Sequence, residues 1–311
     1  MAQFIINRIL SGIIVIFGIS VFSFLLIHFI PGDPVKIMLG QNATPEAVEQ
    51  LNRNLGLDKP LFVQYTTYMA NVTQGDFGTS LKTGRPVLTE ILERFPETVK
   101  LAFAGIFIAI VIGISLGIVA ARFKDSFIDT IVMTLATLGV SIPGFWLAIL
   151  LVMVFSVKLA WFPIAEGTGF RDLVLPAVTL GVLASTMISR LTRNGMVETL
   201  SNDYIRTARA KGLHDGVILF RHALRNVLIP VVTLIGLQMA ALLGGTVIIE
   251  QVFNWPGIGT LAIGAISSRD FPLIQGTVLF MGFIYVTINI LVDIIYGLID
   301  PRIEVSAKEV G

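Results

Sequence analysis

The stretch LAFAGIFIAIVIGISLGIVAA, residues 101–121, carries no charged side chain over 21 positions. About 20 predominantly apolar residues in an α-helix cross the roughly 30 Å of bilayer hydrocarbon, so this stretch predicts a membrane-spanning helix. Working outward, five more segments read the same way. Residues 9–30 precede it, uncharged and ending at Pro31-Gly32-Asp33-Pro34. Residues 130–157, 173–189 (with about a turn beyond, past Arg190), 227–249 and 271–292 follow it. Composition agrees: of 311 residues 54% are hydrophobic and only 14% charged. Soluble domains carry roughly 25% charged residues, so the balance excludes a disordered chain, a nucleic-acid binder and an ordinary soluble enzyme. With no Cys, disulfides, thiolate metal sites and thiol nucleophiles are excluded too. The fold class is an all-α membrane protein with six transmembrane helices.

The first span exceeds the 7–15 residues of a signal-peptide apolar region, and Ile30-Pro31-Gly32 is not a small-x-small cleavage site. It is expected to be a retained helix. Orientation follows the Lys/Arg bias of short loops. With the amino terminus inside, cytoplasmic segments hold twelve Lys/Arg, seven of them between Arg190 and Arg225, while the two short outer loops hold only Lys158, Arg171 and Arg269. Both termini are thus expected in the cytoplasm. The chain divides into residues 1–30 (amino-terminal segment and first span), an extracytoplasmic helical insertion at 31–100, and a core of five spans at 101–311 that contains the cytoplasmic segment 190–226.

The insertion reads as short amphipathic helices. Thr44 caps a helix opened by Pro45 and closed at Leu55-Gly56, Pro60 opens a second through Tyr68, and Pro86 opens a third over residues 87–95. Gly75-Asp76-Phe77-Gly78 closes the second region. The segment is too poor in large apolar residues to fold alone and is expected to pack on the outer mouth of the bundle. Residues 41–74 are expected to form a cap that meets a binding protein or guides cargo.

In the cytoplasmic segment, Ser201-Asn202-Asp203 offers helix caps before Tyr204-Ile205-Arg206-Thr207-Ala208-Arg209-Ala210-Lys211-Gly212. The first helix ends at Gly212. Asp215 can cap a second, in which Val217, Phe220, Leu224 and Val227 follow helical spacing into the fifth span near Pro230. Ala208 and Gly212 lie four apart, so another surface could approach that face closely, and Arg206, Arg209, Lys211, Arg221 and Arg225 surround it. One reading is an interfacial helix on anionic membrane lipids. The other is a helix pair that a cytoplasmic partner pushes.

The chain has no G-x-x-x-x-G-K-[ST] stretch to cradle a nucleotide phosphate, and Gly257-Ile258-Gly259 lacks the third glycine of a dinucleotide site. His28, His214 and His222 have no metal-ligand spacing, and no Ser/His/Asp set sits at one depth. No catalytic residue, metal site or bound cofactor is expected, and uphill transport would draw its energy from a partner or an ion gradient.

Tyr204 through Gly212, then Arg221-His222-Ala223-Leu224-Arg225-Asn226 and Ile229-Pro230, closely resemble the cytoplasmic loop of ABC-importer permeases of the dipeptide/oligopeptide/nickel class. In that family the stretch is the EAA loop, whose coupling helix seats in a cleft of the ATPase. The general motif begins Glu-Ala-Ala, with Gly four residues after the second Ala; here those positions read Arg206, Thr207, Ala208 and Gly212. The missing acidic residue and the longer Gly-to-Pro spacing resemble the peptide/nickel branch. Pro31-Gly32-Asp33-Pro34, Gly75-Asp76-Phe77-Gly78, Asn254-Trp255-Pro256-Gly257, Arg269-Asp270-Phe271-Pro272 and Asp300-Pro301-Arg302 extend the resemblance over nearly the whole chain, in an order like the B-type subunit.

The resemblance implies the type I ABC importer permease fold in a bacterial plasma (inner) membrane. It implies a second homologous (C-type) permease, one or two ABC ATPase subunits that hold ATP and Mg, and an extracytoplasmic solute-binding protein that delivers di- or oligopeptides. Nickel chelates or glutathione are alternative cargoes. It also assigns Tyr204, Arg206, Thr207, Ala208, Gly212, His222 and Arg225 to ATPase coupling. An ion-coupled secondary transporter is the competing class; it would show internal repeats and buried acidic ligands, of which only Asp293 is a candidate.

Three further readings concern transport. Ser141-Ile142-Pro143-Gly144-Phe145 breaks the third span, because Pro removes a helix hydrogen bond and such breaks are tolerated beside protein or a cavity. Ser141, Pro143 and Phe145 are expected near the translocation path, with a purely packing kink as the alternative. Asn289, Asp293, Tyr296 and Asp300 make one polar stripe on the last span, read as inter-helix hydrogen bonding with a functional role as the alternative. Gly236, Gly244 and Gly245 suit close contact with the second permease.

Overall fold

Val87 to Arg122 forms one uninterrupted helix of 36 residues, and the rest of the fold is arranged along it. The computed structural model describes residues 2–29, 35–36, 43–163 and 167–299. In chain order the helices are α1 (Ala2–Phe29), α2 (Pro45–Leu55), α3 (Leu61–Thr73) and the long α4 (Val87–Arg122). Then come α5 (Phe127–Ser141) and α6 (Gly144–Leu151), which continues as a π-helical segment Val152–Lys158. α7 (Phe170–Leu200), α8 (Asp203–Ala210) and a single turn α9 (Asp215–Val217) follow. A second π-helical segment, Ile218–Ala223, leads into α10 (Leu224–Gly245). α11 (Val247–Val252), α12 (Ile258–Ser268) and α13 (Phe271–Ile299) close the chain.

Five of these stretches are long and apolar enough to cross a membrane, and a bent pair brings the number to as many as six among the described residues. Several boundaries differ from the sequence expectation. The third outer helix at 87–95 and the span at 101–121 are the same helix, α4, with Pro96 inside it. Phe95 packs edge-to-face on Phe280 at 5.2 Å, and Val87 and Ile91 are buried beside Ile258 and Leu273, so packing holds the helix through the proline. The third span is not a kinked rod but two helices bent by 106°. Pro143 drives the preceding Ile142 to φ −81°, ψ 124°, outside the helical region.

The fourth span runs ten residues beyond Arg190, to Leu200. Its charged Arg193 does not end the helix because it forms a fork on Asp129: Nε donates to Oδ1 at 3.1 Å and Nη2 to Oδ2 at 2.6 Å. The fifth span ends at Gly245 rather than Ile249, and residues 247–252 form the separate α11.

The centre of the molecule is the α4–α7 seam. Gly105, Ala109, Gly113 and Gly117 recur every fourth residue on α4 and are all buried. A Cβ on Gly113 would come within 2.7 Å of Ile188 Cβ, and one on Gly117 within 2.6 Å of Thr192 Cβ and 2.8 Å of the Ser189 carbonyl. Only bare backbone allows this approach, the arrangement by which small residues join membrane helices. Ile106, Ile188, Met196, Val227 and Val231 extend the core from the seam to α10.

α1 lies against α13. Ser23 Oγ donates to the Gln275 carbonyl at 2.8 Å, and Gln275 Nε2 donates to the carbonyls of Ser23 and Phe24 at 3.2 and 3.1 Å. At the other end Arg8 pairs with Asp293 at 3.3 Å. Gly236 and Gly244, expected at an inter-subunit contact, are used within the chain. A Cβ on Gly236 would meet Val292 at 2.8 Å and one on Gly244 would meet Tyr285 at 3.0 Å, both on α13. The Gly245 Cβ direction, Pro31-Gly32-Asp33-Pro34 and Asp300-Pro301-Arg302 lie outside the described set, as does the His28 side chain.

Candidate functional site

The helix pair α8–α9, between the fourth and fifth spans, is built on three apolar residues. Ile205 and Ala208 face inward, packing with Ile218 and against Leu200. Ala208, expected on the docking face for its small size, instead makes room for Ile218: its side chain is turned inward and buried. The outward face carries Tyr204, Arg206, Thr207, Arg209 and Lys211.

Gly212 ends α8 at φ +77°, the left-handed conformation that glycine adopts without a Cβ penalty. Its N–H donates to the Arg209 carbonyl at 2.9 Å, and the Leu213 N–H reaches back to the Ala208 carbonyl at 3.3 Å. This is the double-bonded helix stop that needs glycine after the last turn. The next turn is capped by His214, whose Nδ1 accepts from the Gly216 N–H at 3.1 Å. His214 takes the position expected for Asp215, because the Asp215 carboxylate is engaged elsewhere.

Two polar contacts fasten the pair to the spans. Asp215 Oδ2 lies 2.7 Å from Arg122 Nη1 at the inner end of α4. Tyr204 Oη accepts from Asn226 Nδ2 at 2.8 Å at the start of α10. The same Asn226 amide donates to the carbonyl of half-buried His222 at 3.3 Å, while Arg225 is exposed. Arg206 pairs with Asp203 one turn away at 3.1 Å, and Thr207 Oγ1 donates to the Asp203 carbonyl. A cavity of about 240 Å³ opens at the flank of the pair, lined by Arg122, Lys124, Leu200, Arg209, Asp215 and Ile218 among others. The result is a basic, hydrogen-bonding surface on an apolar spine.

At the opposite end of the spans, a buried hub organises the segment between α10 and α13. Glu250 is fully buried and accepts from four donors: Thr98 Oγ1 at 2.8 Å, Thr246 Oγ1 at 2.9 Å, and the N–H groups of Gly259 and Thr260 at 2.7 and 3.2 Å. Its carboxylate thereby satisfies the first turn of α12. Trp255 adds an indole N–H bond to the Glu97 carbonyl at 2.9 Å, and Lys100 sits over its ring at 5.4 Å. Asp270 does the same for α13, accepting from Leu273 N–H at 3.3 Å while Ser80 Oγ and Lys82 N–H of the insertion donate to its other oxygen. The motifs Asn254-Trp255-Pro256-Gly257 and Arg269-Asp270-Phe271-Pro272 are thus helix-start devices.

Ser141 Oγ donates to the Thr137 carbonyl at 3.2 Å, and Ser141, Pro143 and Phe145 are exposed at the bend. On α13, Asn289 Nδ2 donates to the Tyr285 carbonyl of its own helix at 2.8 Å, not to a neighbouring helix as expected, whereas Asp293 pairs with Arg8 and ties α13 to α1. The Tyr296 side chain and Asp300 lie outside the described set. Sequence reasoning missed Asp129–Arg193 and Glu250. The signal for the first was an acid in a capped first turn after Ser126; for the second, a lone acid closing an apolar run.

Residues 113–305 match the family described as the binding-protein-dependent transport system inner membrane component, and residues 1–102 match that family's amino-terminal region. The chain belongs to this family of ABC importer permeases. Glutathione transport system permease protein GsiC of Escherichia coli K12 is 41% identical over 303 residues, covering 97% of this permease and 99% of that protein. A provisionally named peptide transport system permease protein of Brucella abortus is 45% identical over 311 residues, with coverage of 97% and 99%. Among solved structures, the MetNI methionine ABC transporter in inward-facing form superposes with TM-score 0.56 at 20% identity, over 68% of this permease and 96% of that chain. That likeness shows the type I importer fold. The chain is therefore a multi-pass inner-membrane permease subunit of an ABC importer of the peptide class, which sets aside the ion-coupled secondary transporter.

Proposed function

We propose that this permease forms half of a translocation pathway for di- or oligopeptides, paired with a homologous C-type permease. A solute-binding protein delivers cargo from outside, and one or two ATPase subunits carry ATP and Mg inside, so this chain hydrolyses nothing. Both termini lie in the cytoplasm by the Lys/Arg bias. The observation that carries this reading is the α8–α9 surface: Tyr204, Arg206, Thr207 and Arg209 face outward on a spine fastened to α4 and α10. A partner that displaces this surface would move both spans.

The test is uptake of labelled dipeptides and tripeptides into vesicles that hold the assembled complex with ATP inside or out as required. ATP-dependent peptide accumulation supports the reading, and its absence with active ATPase subunits overturns it. A second cargo has a specific basis, the 41% identity to a glutathione permease over nearly the full chain. Accumulation of glutathione without competition from ordinary tripeptides would select it. ATPase activity that stays with the highly purified single chain would refute the assignment of hydrolysis to partners.

A further inference from the structure

The outer insertion contains a helix at the wrong depth for a purely extracytoplasmic segment. α3, Leu61–Thr73, has no Asp, Glu, Lys or Arg in its 13 residues. It leans on α1 through two tyrosines: Tyr65 Oη lies 2.8 Å from Ser20 Oγ, with the Tyr65 ring 6.2 Å from Phe17 and 5.5 Å from Phe24, and the Tyr68 ring is 6.1 Å from Phe24. At 1.5 Å per residue, Phe17 and Phe24 stand about 14 and 24 Å along α1 from Arg8, within the roughly 30 Å of hydrocarbon. Arg8 marks the inner end of that distance, paired with Asp293.

Both tyrosine rings rest on α1 between Phe17 and Phe24, so α3 lies beside that part of the span. Its first turn is Leu61-Phe62-Val63, and Phe62 is 77% exposed. α1 exposes Ile13, Ile14 and Phe17, and Phe17 touches Tyr65 of α3. On a membrane-spanning helix that face is covered by lipid.

We propose that the first turn of α3 is embedded in the outer leaflet beside α1, with phospholipid acyl chains covering Leu61, Phe62 and Val63. The insertion is then anchored in the bilayer as well as fastened to the outer ends of α4 and α13. This goes beyond the transport reading and rests only on α1 being a membrane span.

The test exploits the lack of cysteine in this chain. Phe62→Cys, Leu61→Cys, Ile14→Cys and Thr73→Cys are each labelled with a nitroxide in the assembled complex, in phosphatidylcholine–phosphatidylglycerol nanodiscs, with partner cysteines replaced. Collisions with oxygen, which concentrates in lipid, are compared with those of a water-soluble nickel chelate. Labels at 61 and 62 should match the lipid-exposed label at 14, with an oxygen-to-nickel ratio several-fold above that at 73. A label at 62 as accessible to nickel as the one at 73 would overturn the proposal. One shielded from both reagents would also overturn it, by showing that a protein covers the turn. Position 14 guards the premise: a water-like label there would indict the span, and the transport reading with it, rather than α3.

Discussion

At the outer face Glu250 is fully buried among four donors, whereas at the inner face Arg122 and Asp215 meet with 43% and 45% of their side chains exposed. Both contacts fasten α4 to a neighbouring segment, Glu250 through Thr98 and Asp215 through Arg122, yet the chemistry differs in kind. Freeing a buried carboxylate strands several donors away from water and costs about 1–3 kcal/mol for each group left unmade. Opening a half-exposed ion pair costs about 0–1 kcal/mol, since water replaces the partner. The outer end is built to stay in one arrangement. The inner end, where Tyr204 and Asn226 add a second exposed contact, can exchange arrangements at little cost, which suits a surface moved by another protein.

The comparison breaks first at Glu250. Glu250→Ala leaves the Gly259 and Thr260 N–H groups unpaired and is expected to destabilise the permease by about 3 kcal/mol, read as a lower melting temperature of the purified complex. A melt no lower than that of Arg122→Ala would end the distinction between the two ends. Gly117→Ala probes the seam between them: overpacking against Thr192 and the Ser189 carbonyl should cost about 2 kcal/mol, seen as reduced yield of folded protein in the membrane.

Gly212→Ala tests the inner end alone. An added Cβ meets nothing within 4 Å there, so the cost of about 1 kcal/mol is the left-handed backbone. Uptake should fall while membrane level holds. Gly212→Trp adds bulk to that same strain and should abolish uptake; normal uptake would remove the docking assignment. Smallest is Arg122→Ala, expected to shift stability by at most about 1 kcal/mol, an effect that shrinks further in high salt. A salt-insensitive loss would mean that the pair is drier than its exposure indicates.

The spans were legible because a bilayer demands long uncharged runs, and the break at Pro143 because proline acts on its immediate neighbours. Gly212 as a helix stop was legible for the same local reason. The direction faced by Ala208 was not: a small residue serves an approaching partner or an internal neighbour equally well, and only the position of Ile218 decides. Gly236 and Gly244 went the same way, toward α13. Asp129 finds Arg193 across 64 positions and Thr98 finds Glu250 across 152, and no local pattern carries such pairings. Charges inside or next to apolar runs therefore read as boundaries when they were fastenings.

The length of α4 has a mechanical consequence. Its 36 residues make a rod of about 54 Å, and the seam at Gly113 lies about 14 Å from Arg122 but about 39 Å from Val87. The seam from Gly105 to Gly117 and the Glu250 bond to Thr98 grip this rod over about 29 Å. α4 and α7 therefore act as one beam, and a push at Arg122 is carried by both helices rather than bending one.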